Sequence, residues 1–154
     1  MSAMCETQPL RTALESLNFV KVILPKLVRK IPVHLIEAVK GRAFSPEQFY
    51  NAMEAVVFDS ETNLLYILVD DANEVHGYLW AEVLDLGNSL FVNTFSIDKR
   101  YWGKGDAVKK AIDFLSPLAK YLKVDTVNWI TTNPKFFEKK GFKRSKNVVM
   151  EVSC

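Results

Sequence analysis

Tyr101-Trp102-Gly103-Lys104-Gly105-Asp106-Ala107 is the stretch on which the reading of this chain turns. An apolar run, Leu90 to Ile97, precedes it and reads as a strand; a segment of helical periodicity follows from about Gly105. A glycine-bearing turn between a strand and a helix leaves several main-chain N–H groups pointing one way. The helix dipole adds partial positive charge at the same end. Together these make a site suited to a phosphate or pyrophosphate. Two glycines are also an ordinary way to connect a strand to a helix, so the weight falls on what surrounds them.

Working outward, the residues on either side alternate between strand and helix grammar. Leu64–Val69 is an apolar run suited to a buried strand, and Asp70-Asp71-Ala72-Asn73 is a turn. Val75–Val83 is a second strand with Gly77 inside it. A turn at Asp85–Asn88 leads into the third, Leu90–Ile97, which makes an antiparallel meander. After the glycine turn, Ala107, Ala111, Phe114, Leu115, Leu118 and Leu122 recur at helical spacing, with Pro117 expected to kink the helix or split off its last turns. Thr126–Ile130 reads as a strand, Pro134–Lys140 as a short helix ending at Gly141, and Val148–Val152 as a last strand.

Towards the N-terminus, residues 1–9 read as a loose end, and Leu10–Leu17 and Val33–Lys40 as helices. Asn18–Leu24 is ambiguous between helix and strand, its β-branched content tilting it to strand. Ser45-Pro46-Glu47-Gln48 is a helix start: Ser45 caps, Pro46 sits in the first turn and Gln48 completes a capping box. That helix should run to about Val57. The fold expected is α/β, with a mixed, mostly antiparallel central sheet and helices on both faces.

Composition sets bounds. The 154 residues suit one domain, and 49% hydrophobic with 25% charged residues is the balance of a globular protein. A net charge of +2 gives no argument for a nucleic-acid or membrane partner. Cys5 and Cys154 stand near the two ends, which speaks against a disulfide framework. With only His34 and His76 besides, no Cys/His cluster has metal-ligand spacing, and no metal is expected. No basic start leads into an apolar core, and no apolar run approaches the roughly 20 residues of a membrane span. A cytoplasmic location is the expectation.

Three segments resemble the GNAT family of N-acetyltransferases, which use acetyl coenzyme A. Val75-His76-Gly77-Tyr78 resembles the family's third strand. Phe95 to Ala107 resembles its signature of a strand, a Q/R-x-x-G-x-G/A turn and a helix, with Trp102 at the Gln/Arg position, Gly105 at the glycine and Ala107 at the Gly/Ala. Asn133 followed by Phe137-Glu138-Lys139-Lys140-Gly141-Phe142 resembles the closing motif, an Asn before a short helix ending Tyr-Glu-x-x-Gly-Phe. The resemblance spans about 63–152, so the expected organisation is a single GNAT-like domain. Residues 10–58 would form a helical, substrate-side region, and 63–152 the coenzyme-binding core.

The resemblance implies acetyl coenzyme A as cosubstrate and an amine as acceptor. Main-chain N–H groups of Trp102, Gly103, Lys104, Gly105, Asp106 and Ala107 would hold the pyrophosphate. Main-chain groups of Phe95 and Ile97 would pair with the pantetheine arm like an added strand, in a V opened by a bulged strand that parts from its neighbour, with 128–130 as the other lip. Asn133 and Phe137 would complete the cofactor site. The chain also departs from the pattern. Phe137 stands where the family often has a tyrosine acid, Trp102 replaces a phosphate-holding side chain, and Lys99 replaces a common proline. The Asn133–Phe137 spacing is shorter by about one helical turn.

Transfer to an amine needs alignment, a base for the amine proton and a donor for the oxyanion. Glu82, Asp85 and His76 are candidate bases. His76, Tyr78, Trp80 and Glu82 share one strand face, which is either an amine-binding wall or a solvent-facing or helix-covered surface. Asn93, where many relatives carry an acid, can orient a water or make a structural hydrogen bond. Glu82 and Asn93 are therefore the catalytic candidates. His34, on an apolar helix face, reads as a core residue. Lys99, Arg100, Lys104, Lys109 and Lys110 surround the turn, and Glu138 to Lys146 form a second, mostly basic run. Both are either solvated surface or flanks of one anion-binding cleft. The function expected is acetyl transfer to an amine of a small molecule or protein; an acyl-coenzyme A-binding or protein-interaction domain that has lost turnover is the alternative, and a nucleic-acid-modifying variant ranks behind both. The assembly is either a monomer or a homodimer.

Overall fold

The computed structural model describes residues 14–39, 44–59, 61–85, 88–103, 105–131, 133–145 and 150–153. Among them, five strands form one sheet in the order β1 (Asn18–Lys21), β2 (Asn63–Val69), β3 (Val75–Leu84), β4 (Ser89–Ile97) and β5 (Thr126–Trp129). Neighbours from β1 to β4 run antiparallel, and β4 with β5 runs parallel. The helices are α1 (Val33–Glu37), α2 (Pro46–Phe58), α3 (Asp106–Tyr121) and α4 (Pro134–Lys139). Two 3-10 segments lie at Pro25–Lys30 and Lys99–Tyr101. The mixed α/β sheet with helices on both faces is the architecture read from the sequence, and the ambiguous segment contributes the edge strand β1.

Burial explains why β2 reads as an unbroken apolar run. A strand covered on both faces has no polar side to alternate with. Leu65, Ile67 and Val69 face a core shared with Phe49, Met53 and Tyr50 of α2, Leu35 and Ile36 of α1, and Tyr78 of β3. Leu64 and Tyr66 face the opposite core, with Leu79, Ala81, Leu90 and Val92 packed on Ala111, Leu115 and Ala119 of α3. The α2 capping box forms as its residues require: Ser45 Oγ accepts from Gln48 N–H, and Gln48 Oε1 accepts from Ser45 N–H.

Several expectations change. The helix expected over 33–40 is one short α1 ending at Glu37, and residues 40–43 lie outside the described residues. Of the helix expected at Leu10–Leu17, residues 14–16 are helical and 1–13 lie outside. Pro117 does not divide α3, which runs unbroken to Tyr121. Pro117 and Asp113 are both exposed, so the Asp113 carbonyl left without its helical donor faces water and not the core. Of the last strand expected at 148–152, residues 146–149 lie outside the described residues and 150–153 carry no strand.

Gly77 sets the fit between β3 and β4. It lies opposite Ile97, and a methyl group on it would meet the Ser96 carbonyl oxygen at 2.8 Å. Only a residue without Cβ lets the two strands approach this closely at the end of β4 that leads into the glycine turn.

Candidate functional site

The site begins with a bulge in β4. Trp80 pairs with Thr94 and Ala81 with Val92, so Asn93 is an extra residue with no partner position on β3. β5 pairs with β4 only from Ser89↔Thr126 to Val92↔Trp129 and then leaves the sheet. Beyond the bulge, β4 therefore keeps β3 on one side and, among the described residues, has no strand on the other. Asp98 N–H donates to the His76 carbonyl oxygen at 2.9 Å. By the alternation of an antiparallel ladder, the main-chain groups of Ser96 then face β3, and those of Phe95 and Ile97 face the vacated side. The V-shaped gap expected of β4 and β5 is present.

The glycine turn sits at the end of that open edge. Lys99–Tyr101 forms a 3-10 turn, and Gly105, at φ 94°, is the N-cap of α3. That left-handed conformation is cheap only for glycine. Gly103 has open space where a Cβ would point. Trp102 is more than half exposed, and its indole Nε1–H donates to the Ile97 carbonyl at 3.0 Å. It thus occupies one of the two main-chain groups that Ile97 presents to the gap, which leaves the Ile97 N–H. Lys104 lies outside the described residues.

A cleft of ≈ 430 Å³ joins these parts. Phe95 and Ile97 form its floor, Trp102, Gly103, Gly105 and Ala107 its end, and Ala38 and Val39 just beyond α1 one side. Trp129, Phe136 and Phe137 close the other. The aromatic side is a packed cluster. Trp129 meets Phe95 edge-on at 5.9 Å between centroids and Phe137 at 5.4 Å, and Phe137 meets Phe142 at 5.0 Å. Phe136 lines the cleft together with Phe137, because the short α4 turns both phenylalanines toward it.

The remaining expected site residues lie elsewhere. Asp106 faces a separate groove with Lys109, Lys110 and Asp113. Asn133 does not line the cleft; its Oδ1 accepts from Phe136 N–H at 3.4 Å and caps α4. Glu82 of β3 is half-buried and pairs with Phe91 of β4, two positions before the bulge residue. Asn93, as the bulge residue, interrupts the side-chain alternation between Phe91 and Thr94. On the face of β3 that carries Glu82, Tyr78 packs on Phe49 of α2, and Trp80 Nε1–H donates to Asn63 Oδ1 of β2 at 3.3 Å. Helix α2 thus covers this face at Tyr78, and Glu82 stands half-buried beyond it.

Neither histidine is where the sequence put it. His34 projects from α1 largely exposed, its Nε2 against Asp98 Oδ1. His76 is buried between two carboxylates, with Nε2 2.8 Å from Asp70 Oδ2 and Nδ1 3.0 Å from Asp98 Oδ2. Asp98 therefore ties α1 to β3 at the mouth of the glycine turn. Burial pushes the His76 imidazole down, but its hydrogen bonds to Asp70 and Asp98 outweigh that, and its pKa stands above the ordinary value. The bond to His76 holds Asp70 below the usual carboxylate range. For Asp98, burial pulls upward, and the bonds to His34 and His76 bring it below as well. Arg100 Nη2 lies 2.8 Å from His76 Nδ1. It opposes the protonated ring and donates to the neutral one. Asp98 is five residues past the bulge, roughly 16 Å along the strand. The cluster thus braces the turn and does not reach the bulge. Asp98 carried no catalytic signal in sequence; its place between Ile97 and the turn was the only pointer to it.

No protein-family model and no curated protein matches the sequence. Solved structures do resemble the fold. Glucosamine-6-phosphate N-acetyltransferase from Arabidopsis thaliana superposes with a TM-score of 0.63 at 17% identity, over 88% of this chain and 97% of that one. AAC(6')-Iy in complex with the bisubstrate analog CoA-S-monomethyl-acetylneamine gives 0.66 at 11% identity, over 90% and 98%. The aminoglycoside 6'-N-acetyltransferase AAC(6')-Ih from Acinetobacter baumannii gives 0.67 at 10%, again over 90% and 98%. The chain has the fold of the GNAT acetyltransferases.

The two glycines of the turn should behave differently. Gly105→Ala is expected to cost about 1–2 kcal/mol in urea denaturation, from left-handed strain, whereas Gly103→Ala should stay within about 0.5 kcal/mol; equal effects would contradict the turn geometry. The His76 cluster predicts a pH signature. A raised folded pKa favours the protonated ring, so the contribution is fully present below the unfolded value of about 6.5 and is lost as pH rises through the folded value. The melting-temperature gap between wild type and His76→Gln should therefore be larger near about pH 5.5 than near about pH 8.5.

Proposed function

We propose that the chain is a divergent member of the GNAT family and an N-acyltransferase, moving an acetyl group from acetyl coenzyme A to an amine. The observation that carries this reading is the open edge of β4 beside the glycine turn, joined in one cleft. The N-terminus of α3, with its free main-chain N–H groups, anchors the anionic pyrophosphate. The pantetheine arm runs from there along β4 and pairs with Phe95 and Ile97 as a strand would. Its thioester then comes to the bulge at Asn93, where β5 departs. The likeness in fold to AAC(6')-Iy, solved with a coenzyme A bisubstrate analog, supports coenzyme A as the ligand class.

At the bulge the amine nitrogen attacks the thioester carbonyl carbon. The C–N bond forms, the C–S bond breaks, and the coenzyme leaves as thiolate. A main-chain N–H at the bulge stabilises the oxyanion. Glu82, through a water that Asn93 orients, takes the proton released by the amine. The protonated water chain or bulk solvent, not Phe137, returns a proton to the thiolate, because Phe137 has none to give. The acceptor amine enters over β3 and β4 beside α1 and α2.

Phe137 favours one second reading, a domain that binds acyl coenzyme A without turnover. Calorimetry with coenzyme A and acetyl coenzyme A, followed by thiol release over a broad amine panel, separates the two. Binding with thiol release is the expected result. Binding without release across the panel would leave the second reading, and no binding to either ligand would overturn both.

A further inference from the structure

α4 delivers a lysine to the glycine turn. Phe136 and Lys140 are four residues apart and so share one face of α4 and its C-terminal extension. That face meets Gly105. A methyl group on Gly105 would lie 2.7 Å from Lys140 Nζ and 3.3 Å from Phe136 Cζ, and in closer contact still with Lys140 Cε. The ammonium also lies 5.9 Å from the centroid of the Phe136 ring. The aliphatic stem of Lys140 thus crosses the bare Cα of Gly105 and holds a positive charge at the N-terminus of α3. The signature position that would otherwise present a phosphate-binding side chain holds Trp102, whose indole N–H is directed at Ile97 and not outward.

An anion placed here meets the Lys140 ammonium and the main-chain N–H groups of the helix end with favourable sign. The mixed environment, a full charge from α4 and main-chain N–H groups from α3, fits a diphosphate better than a carboxylate. The cleft with its open β4 edge starts at the same point. We infer that Lys140 is the pyrophosphate-binding cation of this protein, supplied from α4 across the turn in place of a side chain at position 102. This rests on the coenzyme A reading of the cleft. It also gives Gly105 a second requirement, room for the lysine stem, and makes the contact between α4 and the turn part of cofactor binding.

The test is calorimetry on the full chain with coenzyme A, 3′-dephospho-coenzyme A and pantetheine, which share the arm but differ in phosphates. Lys140→Met is expected to weaken coenzyme A and dephospho-coenzyme A by the same factor, roughly tenfold or more, and to leave pantetheine unchanged. Lys140→Arg, which keeps the charge, should retain most of the affinity. Lys140 is exposed, so both variants should fold, and circular dichroism checks this. An unchanged affinity in Lys140→Met would overturn the assignment. A loss confined to coenzyme A would move the contact to the 3′-phosphate and overturn it too, as would tighter binding, which would make the lysine a plug. A wild type that binds none of the three would instead remove the coenzyme A reading itself.

Discussion

The main-chain hydrogen bonds of β4 past Asn93 are the constraint on which the structure depends. A strand inside a sheet has donors and acceptors on both edges, and unpaired ones are costly unless something meets them. β5 meets them as far as Val92 and then turns away. The bulge at Asn93 and the aromatic cluster around Trp129 hold the two strands apart. The result is an internal strand edge left to water or to an extended partner and, at its far end, to the Trp102 indole. The glycine turn, α3 and α4 are arranged around that edge.

Rigidity on the other side keeps the edge in place. Gly77 lets β3 approach β4 closely, and Asp98 binds His76 of β3 and His34 of α1 at once. The turn therefore starts from a residue fixed by two elements, not from a loose loop. Protonation of His76 and the position of Arg100 are linked through the same nitrogen, so the charge state of this brace bears on the segment that leads into Trp102.

Much of the fold was legible in the sequence because local signals and tertiary demands agreed. The capping box at Ser45, the continuous apolar run of β2 and the periodicity of α3 each specify one structure. The turn and the bulged strand before it were legible because main-chain geometry is written in glycine positions and strand patterns. What failed to read were side-chain destinations. His34 lies on a face that looks apolar in sequence but is drawn to Asp98, a partner 64 residues away. Phe136 and Lys140 point at the turn because α4 packs there, which no local pattern encodes. Pro117 reads as a breaker, but its lost hydrogen bond falls on the solvent side, where water replaces it. Asn133 reads as a cofactor residue and serves as a helix cap.

The central claim is that the vacated edge of β4 binds the coenzyme arm through main-chain groups. Residue-resolved amide hydrogen exchange, with and without saturating coenzyme A, tests it most directly. The amides of Phe95 and Ile97, which face the gap, should gain strong protection. That of Ser96, already directed at β3, should change little. Protection that spares Phe95 and Ile97, or falls equally on Ser96, would contradict the account.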